Sequence, residues 1–261
     1  MRSLTIATAF VSLVSFGAAR AADMPVKAPP PPPPPVATWT GCYVNAGGGY
    51  GFFNLNHEGT PDGGGIFFPT PTSNTGGEGW LGRFGGGCDV QLGSMGMPNV
   101  VVGVFGDYDL ADLHGQFVGA YSPFFGVTFF GTAKESSAWA VGGRAGYLVT
   151  PGLLTFVDGG FTESNFDAIR LSTFFTGPVG SGFNAQTFNG WFVGFGTEYA
   201  LNWIGIPGLF WRNEYRYASY NRNTAVGQFF GVGPNFVNEN MQPNVQTVTS
   251  SLVWRFNWFG H

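Results

Sequence analysis

Charge is what this chain has least of. Asp, Glu, Lys and Arg make up 10% of its 261 residues, against about 25% in an ordinary soluble domain. A soluble fold of this size covers itself with Lys and Glu, and that cover is missing. The formal net charge of −4 excludes the basic face that a nucleic-acid partner needs. Long apolar runs are missing too. After the first residues no stretch approaches the roughly 20 apolar residues of a membrane helix, and mean hydropathy is +0.08. There are two cysteines and three histidines. Their spacing matches no zinc site, and no Ser-His-Asp or Cys-His arrangement falls on neighbouring strands. The expectation is therefore no enzyme, no metal and no cofactor.

Aromatic residues reach 17% and glycine 43 of the residues. A chain poor in charge, without apolar runs yet rich in aromatics, fits a closed β-barrel. A barrel satisfies its backbone polar groups in lipid. It hides from hydropathy plots because lipid-facing and lumen-facing residues alternate.

The beginning of the chain reads as an export signal. Arg2 supplies a positive start, residues 4–16 are a short apolar stretch, and Ala19-Arg20-Ala21 is an A-x-A cleavage site. Residues 1–21 are the expected signal peptide. Residues 22–38 are the expected linker, with an unbroken proline run from Pro29 to Pro35. Such a run favours polyproline II, a semi-rigid spacer. Residues 39–261 are the expected barrel.

From Trp39 onward the apolar pattern has period two. Val44, Ala46, Tyr50 and Phe52 share one face. Trp80, Phe84, Cys88 and Val90 oppose Arg83, Asp89 and Gln91. Trp211, Tyr215 and Tyr217 oppose Arg212, Glu214 and Arg216. The fifth strand is the weakest, because Phe156 falls on the polar parity beside Asp158. The pattern predicts an all-β, eight-stranded antiparallel up-and-down transmembrane barrel. Long connections (54–77, 111–134, 165–186, 221–243) alternate with short ones (93–99, 150–152, 202–207), the expected contrast of outer loops and periplasmic turns. Two aromatic girdles follow. Tyr50, Trp80, Tyr108, Trp139, Trp191 and Tyr217 gather at the long-loop end, and Trp39, Tyr147, Tyr199, Trp211, Trp254 and Trp258 at the other.

The residues resemble a known family, the small outer-membrane β-barrel proteins of alphaproteobacteria, which include outer-membrane immunogenic, haemin-binding and porin-like proteins. The resemblance is carried by residues 22–29 (ADMPVKAP), 39–44 (WTGCYV), 106–109 (GDYD), 142–147 (GGRAGY) and 214–217 (EYRY), in that order. It ends on 252–256 (LVWRF), which looks like the family's closing strand. The resemblance implies the bacterial outer membrane, outer-membrane lipids and the barrel-assembly machinery as partners, and a linker in the periplasm. Haem binding is implied by some relatives, with His57 or His114 as the available axial ligands.

Four constellations stand out as candidate sites. Arg83, Arg144, Arg212, Arg216 and Arg255 share the lumen parity with Asp89, Asp107, Asp109, Asp158, Glu198 and Glu214. An eight-strand barrel is just wide enough to be filled by side chains. These charges therefore either pair into a plug or line a narrow water path. Cys42 and Cys88 share the outward parity of the first two strands, so they either bridge or remain thiols facing lipid. The long connections carry Phe67-Phe68, Phe124-Phe125, Phe129-Phe130, Phe174-Phe175 and Phe229-Phe230. These rings either pack within loops or form an apolar surface for a lipid or protein partner. Asp107, Asp109, Asp112 and His114 also run together, as lumen charges continuing into a loop or as a cation trap.

Overall fold

The computed structural model describes residues 39–60, 72–122, 127–174, 177–229 and 238–256. They form antiparallel strands. In chain order these are β1 (Gly41–Thr60), β2 (Ser73–Gln91), β3 (Val100–Ser122) and β4 (Val127–Thr150). After them come β5 (Leu153–Phe166), β6 (Ile169–Thr173), β7 (Gly177–Phe183) and β8 (Gln186–Ala200). The last are β9 (Leu209–Tyr220), β10 (Asn223–Phe229) and β11 (Asn238–Phe256). The order β1-β2-β3-β4-β5-β8-β9-β11 closes on itself because β11 pairs with β1, from Cys42↔Phe256 to Thr60↔Asn238. This is the eight-strand up-and-down barrel that the alternation predicts.

The long connections differ from their expectation. Much of their length is wall, not loop. Where β5, β8 and β9 stop, β6, β7 and β10 continue the sheet, and β4–β6, β6–β7, β7–β10 and β10–β11 pairings keep eight strands abreast. The barrel thus has a lower tier, between the aromatic girdles, and an upper tier beyond it.

The upper tier escaped the period-two reading because its polarity is inverted. In the lower tier the outward residues are apolar, as with Val141, Val157, Phe195, Val248 and Leu252, and the inward ones are charged. Above the outer girdle Asn54, Asn56 and Glu58 face outward while Phe53, Leu55 and His57 are buried inside. On β11, Asn240, Gln242 and Asn244 face outward while Met241 and Val245 are buried. The switch follows from the solvent on the outer face: hydrocarbon below, water above. A search for apolar outward residues finds the first tier and passes over the second.

The girdles mark the switch. Trp139 to Tyr147 on β4, and Trp191 to Tyr199 on β8, are each nine residues counted inclusively. That matches the roughly 9–11 tilted residues of a membrane-crossing strand. Trp39 is a correction. It is 1% exposed, inside the barrel, where its Nε1 donates to the Pro151 carbonyl at 3.1 Å and its ring meets Phe210. It stands just before β1, so it folds under the lumen instead of facing lipid. Trp258 lies outside the described residues.

Short 3-10 turns at Leu92–Met95 and Asn202–Ile204 join strands at the other end. Each stops at a left-handed glycine, Gly96 (φ 80°) and Gly205 (φ 78°), where a side chain would be strained. Within the wall, glycine makes room for charge. A Cβ on Gly103 or Gly194 would run into the carboxylate of Asp89 or Asp158 respectively.

Candidate functional site

The lumen is filled in layers. Its floor, at the short-turn end, is apolar: Trp39, Tyr43, Val101, Leu154, Phe156, Phe210 and Val253 pack together and are nearly inaccessible. Above it lie the charges. Of the eleven lumen residues proposed from sequence, ten are buried and Asp107 is partly so. The structure brings them together in two clusters.

The lower cluster centres on Glu198, which is 0% exposed. Its carboxylate accepts from Arg144 Nη1 at 3.1 Å, Arg212 Nε at 2.9 Å and Arg255 Nη2 at 2.7 Å. Asp89 adds a second bridge, accepting from Arg144 Nε at 2.8 Å and pairing with Arg255 Nη1 at 2.7 Å. Three guanidinium groups thus share two carboxylates. The Tyr43 ring serves all three, with Arg144, Arg212 and Arg255 at 4.8, 4.6 and 5.0 Å from its centroid. The Phe156 ring lies 5.2 Å from Arg144 and 5.7 Å from Arg212. Phe156, out of place in the alternation, is therefore the ring of the floor that meets the charged layer. Cation–π contact suits desolvated arginine particularly well.

The upper cluster has the opposite balance. Arg83 forks onto Asp109 with two bonds of 2.7 Å and reaches Glu214 at 2.9 Å. Arg216 forks onto Asp107 at 2.9 and 2.7 Å, accompanied by Glu214 at 2.8 Å. Such bidentate pairs are the strongest geometry available to buried charges. Asp158 is buried as well, with its Oδ1 unpartnered among the described residues.

Above this cluster is a small cavity, about 20 Å³, lined by Arg83, Asp109, Ala138, Thr162, Tyr220 and Glu135. Glu135 was not among the sequence candidates. From Ala138 downward the inward residues of β4 are even-numbered (Ala138, Ala140, Arg144, Leu148). Above Ser136 they are odd-numbered (Glu135, Ala133, Phe129). The cause is a bulge. Glu135 pairs with Phe166 and Ser137 with Asn165, leaving Ser136 extra. One inserted residue re-aims every side chain beyond it. Glu135 Oε1 accepts from Ser164 Oγ at 2.7 Å, and Oε2 has no partner. Burial pushes its carboxyl up to about 8, opposed by the Ser164 hydrogen bond and helped by the charge of Asp109. The group lies four residues beyond Trp139, outside the membrane-spanning part of β4.

The upper tier encloses a second apolar core, including Phe53, Leu55, Leu113, Phe117, Phe166, Phe183, Phe188 and Met241. His57 belongs to it. Its Nδ1 meets Glu239 Oε1 at 2.6 Å, its Nε2 meets Thr75 Oγ1 at 3.1 Å, and it is 3% exposed. Both ring nitrogens are engaged, so this histidine is not presented to a haem iron. His114 is exposed on the outer wall, on the same face as Asp112, which Lys134 pairs with at 2.8 Å. Lys134 holds the Asp112 carboxyl below its ordinary value. Asp107 and Asp109 take the opposite, inward parity, so the four residues of that run do not converge. Among the described residues no group of three or more His, Cys, Asp or Glu is placed to hold a metal ion.

Cys42 and Cys88 are register partners on β1 and β2 and are joined by a disulfide. The phenylalanine pairs divide. Phe129 and Phe130 stand in β4, not in a loop, and consecutive strand residues point to opposite faces. Phe129 accordingly joins the upper core. Phe174 is 85% exposed. Phe229 lies in β10, in register with Ser181. Phe67, Phe68, Phe124, Phe125, Phe175 and Phe230 lie outside the described residues.

A closed eight-strand ring with a lipid-facing apolar belt defines an outer-membrane barrel. The chain belongs to the outer membrane protein β-barrel domain family, whose model matches residues 8–256. Membership places it in the bacterial outer membrane. No curated protein sequence matches it. Solved structures similar to it include the outer membrane protein OprG from Pseudomonas aeruginosa, at 10% identity, 84% of this chain, 99% of that one and a TM-score of 0.49. Neisserial surface protein A is similar at 14% identity, 83% and 98% coverage and 0.34. The outer membrane protease OmpT from Escherichia coli is similar at 10% identity, 84% and 98% coverage and 0.42.

Proposed function

We propose that this barrel is a sealed structural and surface-interaction protein of the outer membrane, neither a pore nor an enzyme. The observation that carries this reading is the pairing of all five lumen arginines with buried carboxylates, between an apolar floor and an apolar upper core. A water path would have to pass two packed layers and two desolvated charge clusters. Interiors packed to this extent leave little room for a chain of waters. The short turns face the periplasm and the upper tier faces outward, the usual arrangement of such barrels. The upper tier then carries its outward wall, and the exposed Phe174, clear of the membrane toward a partner. The motifs shared with alphaproteobacterial outer-membrane immunogenic proteins support membership in that narrower group.

Single-channel recording of the refolded protein in a planar bilayer tests the seal. Folding is checked beforehand by the mobility difference between heated and unheated protein on a detergent gel. A silent bilayer is the expected result. Reproducible ohmic steps whose ion selectivity changes in Arg212→Glu would replace the sealed reading with that of a narrow pore.

A further inference from the structure

We infer that the outer wall just above the outer girdle is a docking surface for the uncharged sugar headgroups of outer-leaflet glycolipid. The inference rests on the upper tier facing outward and does not depend on whether the lumen conducts.

The surface is a belt of side-chain amides. On β11, Asn240, Gln242, Asn244 and Gln246 take alternate outward positions. Asn54 and Asn56 on β1 lie in register with Asn244 and Gln242. The belt continues around the barrel through hydrogen bonds between outward side chains. Thr224 Oγ1 donates to Asn240 Oδ1 at 2.7 Å, and Asn221 Nδ2 to Asn189 Oδ1 at 2.8 Å. Thr187 Oγ1 donates to Asn165 Oδ1 at 2.8 Å, whose Nδ2 in turn reaches Ser137 Oγ at 3.2 Å.

The belt is tied to the girdle beneath it. Tyr215 Oη donates to Gln246 Oε1 at 2.8 Å and Tyr217 Oη to Asn244 Oδ1 at 3.2 Å. Tyrosine hydroxyls of a girdle sit at the lipid headgroup level. Amides one step higher are therefore at the level of the headgroups' outer part, continuous with the lipid-facing wall.

The chemistry selects the occupant. Each amide has two donor hydrogens and two acceptor lone pairs. The lateral bonds use part of this capacity and fix the orientation of the remainder. Fixed groups that both donate and accept match sugar hydroxyls, which do the same. Phosphate accepts and calls for arginine or lysine, and the belt's own positions carry neither. Two cations, Arg222, exposed between Asn221 and Asn223, and Arg170, exposed on β6, stand at its flank. The charges within the belt are carboxylates, Glu58 in register with Asn240 and Glu163 in register with Asn189, which repel phosphate. Further charge gathers on the β2–β4 side, at Glu78, Asp112, His114 and Lys134. The two sides of the upper tier thus present different surfaces.

The test uses the full barrel in vesicles of phosphatidylcholine carrying equal amounts of digalactosyl diacylglycerol and phosphatidylglycerol. Native mass spectrometry of the extracted protein reads the bound lipids. The expected result is enrichment of the galactolipid over phosphatidylglycerol by about fivefold, the scale of one net hydrogen bond. Asn54→Ala with Asn56→Ala and Asn240→Ala should abolish the enrichment while the barrel keeps its folded gel mobility. Asp112→Ala with Lys134→Ala should leave it unchanged. Equal retention of the two lipids by the unmodified protein, preference for phosphatidylglycerol, or enrichment that survives the triple substitution in a folded barrel would overturn the inference.

Discussion

Glu135 makes the stability of the upper tier depend on pH in an unusual direction. Its carboxyl is 2% exposed and one oxygen is unpartnered, so the neutral form is favoured and titration moves up to about 8. In the unfolded chain the group titrates at its ordinary value of 4.5. Between those two values the folded protein holds one proton more than the unfolded one. Stability then falls as pH rises, by about 1.4 kcal/mol per pH unit. The contribution is present in full below 4.5 and is lost as pH climbs to about 8. Glu135→Gln removes the titration yet keeps the shape and the acceptor for Ser164. Equilibrium urea unfolding in lipid vesicles at pH 5, 6.5 and 8 measures it. Relative to the unmodified protein, the glutamine variant should gain several kcal/mol from the lowest to the highest pH. Parallel stability profiles for the two proteins would refute the reasoning, because they would mean that the carboxyl is hydrated or paired.

Two further predictions concern the lower tier. Glu198→Gln leaves three buried arginines sharing the single charge of Asp89, and loss of one partner from a buried ion cluster costs about 3–5 kcal/mol, measurable by the same urea titration. Values within about 0.5 kcal/mol of the unmodified protein, the scale of a surface substitution, would mean that the cluster is hydrated. The Cys42–Cys88 bridge spans 46 residues of sequence, so reduction should lower stability by at most about 4 kcal/mol in the chain-entropy estimate. Mass spectrometry of unreduced protein checks the bridge itself, and two alkylatable thiols would remove it.

How much of this was legible in the sequence depends on where outward-apolar alternation holds. In the lower tier it does. Arg83, Arg144 and Arg216 are inward because Trp80, Val141 and Tyr215 must be outward, and a strand offers no third direction. The same parity placed Cys42 opposite Cys88. Phe156 looked like a defect because an apolar residue on the lumen side has no role until arginine is seen to need a ring. Trp39 misled for a related reason: tryptophan near a strand end suggests a girdle, and nothing local says that the chain turns inward before β1. Glu135 was hidden by Ser136. A bulge needs no special residue in its strand, and parity counted back from Trp139 would put this carboxylate outside.

The segments read as loops carry the larger lesson. Their alternation is as regular as that of the membrane strands, with the sense reversed: Asn54-Leu55-Asn56-His57 above, Cys42-Tyr43-Val44-Asn45 below. A period-two pattern reports a strand, while its sign reports the solvent on each face. Along β1 the sign changes between Tyr50 and Asn54; along β11, between Asn244 and Val248. Two neighbouring strands that change sign at register-matched positions (Tyr50↔Val248, Asn54↔Asn244) define one level around the barrel. That level is one boundary of the membrane, marked by side-chain polarity. Below it the charges turn inward and must pair. Above it the amides turn outward, where they are free to meet what lies on the membrane.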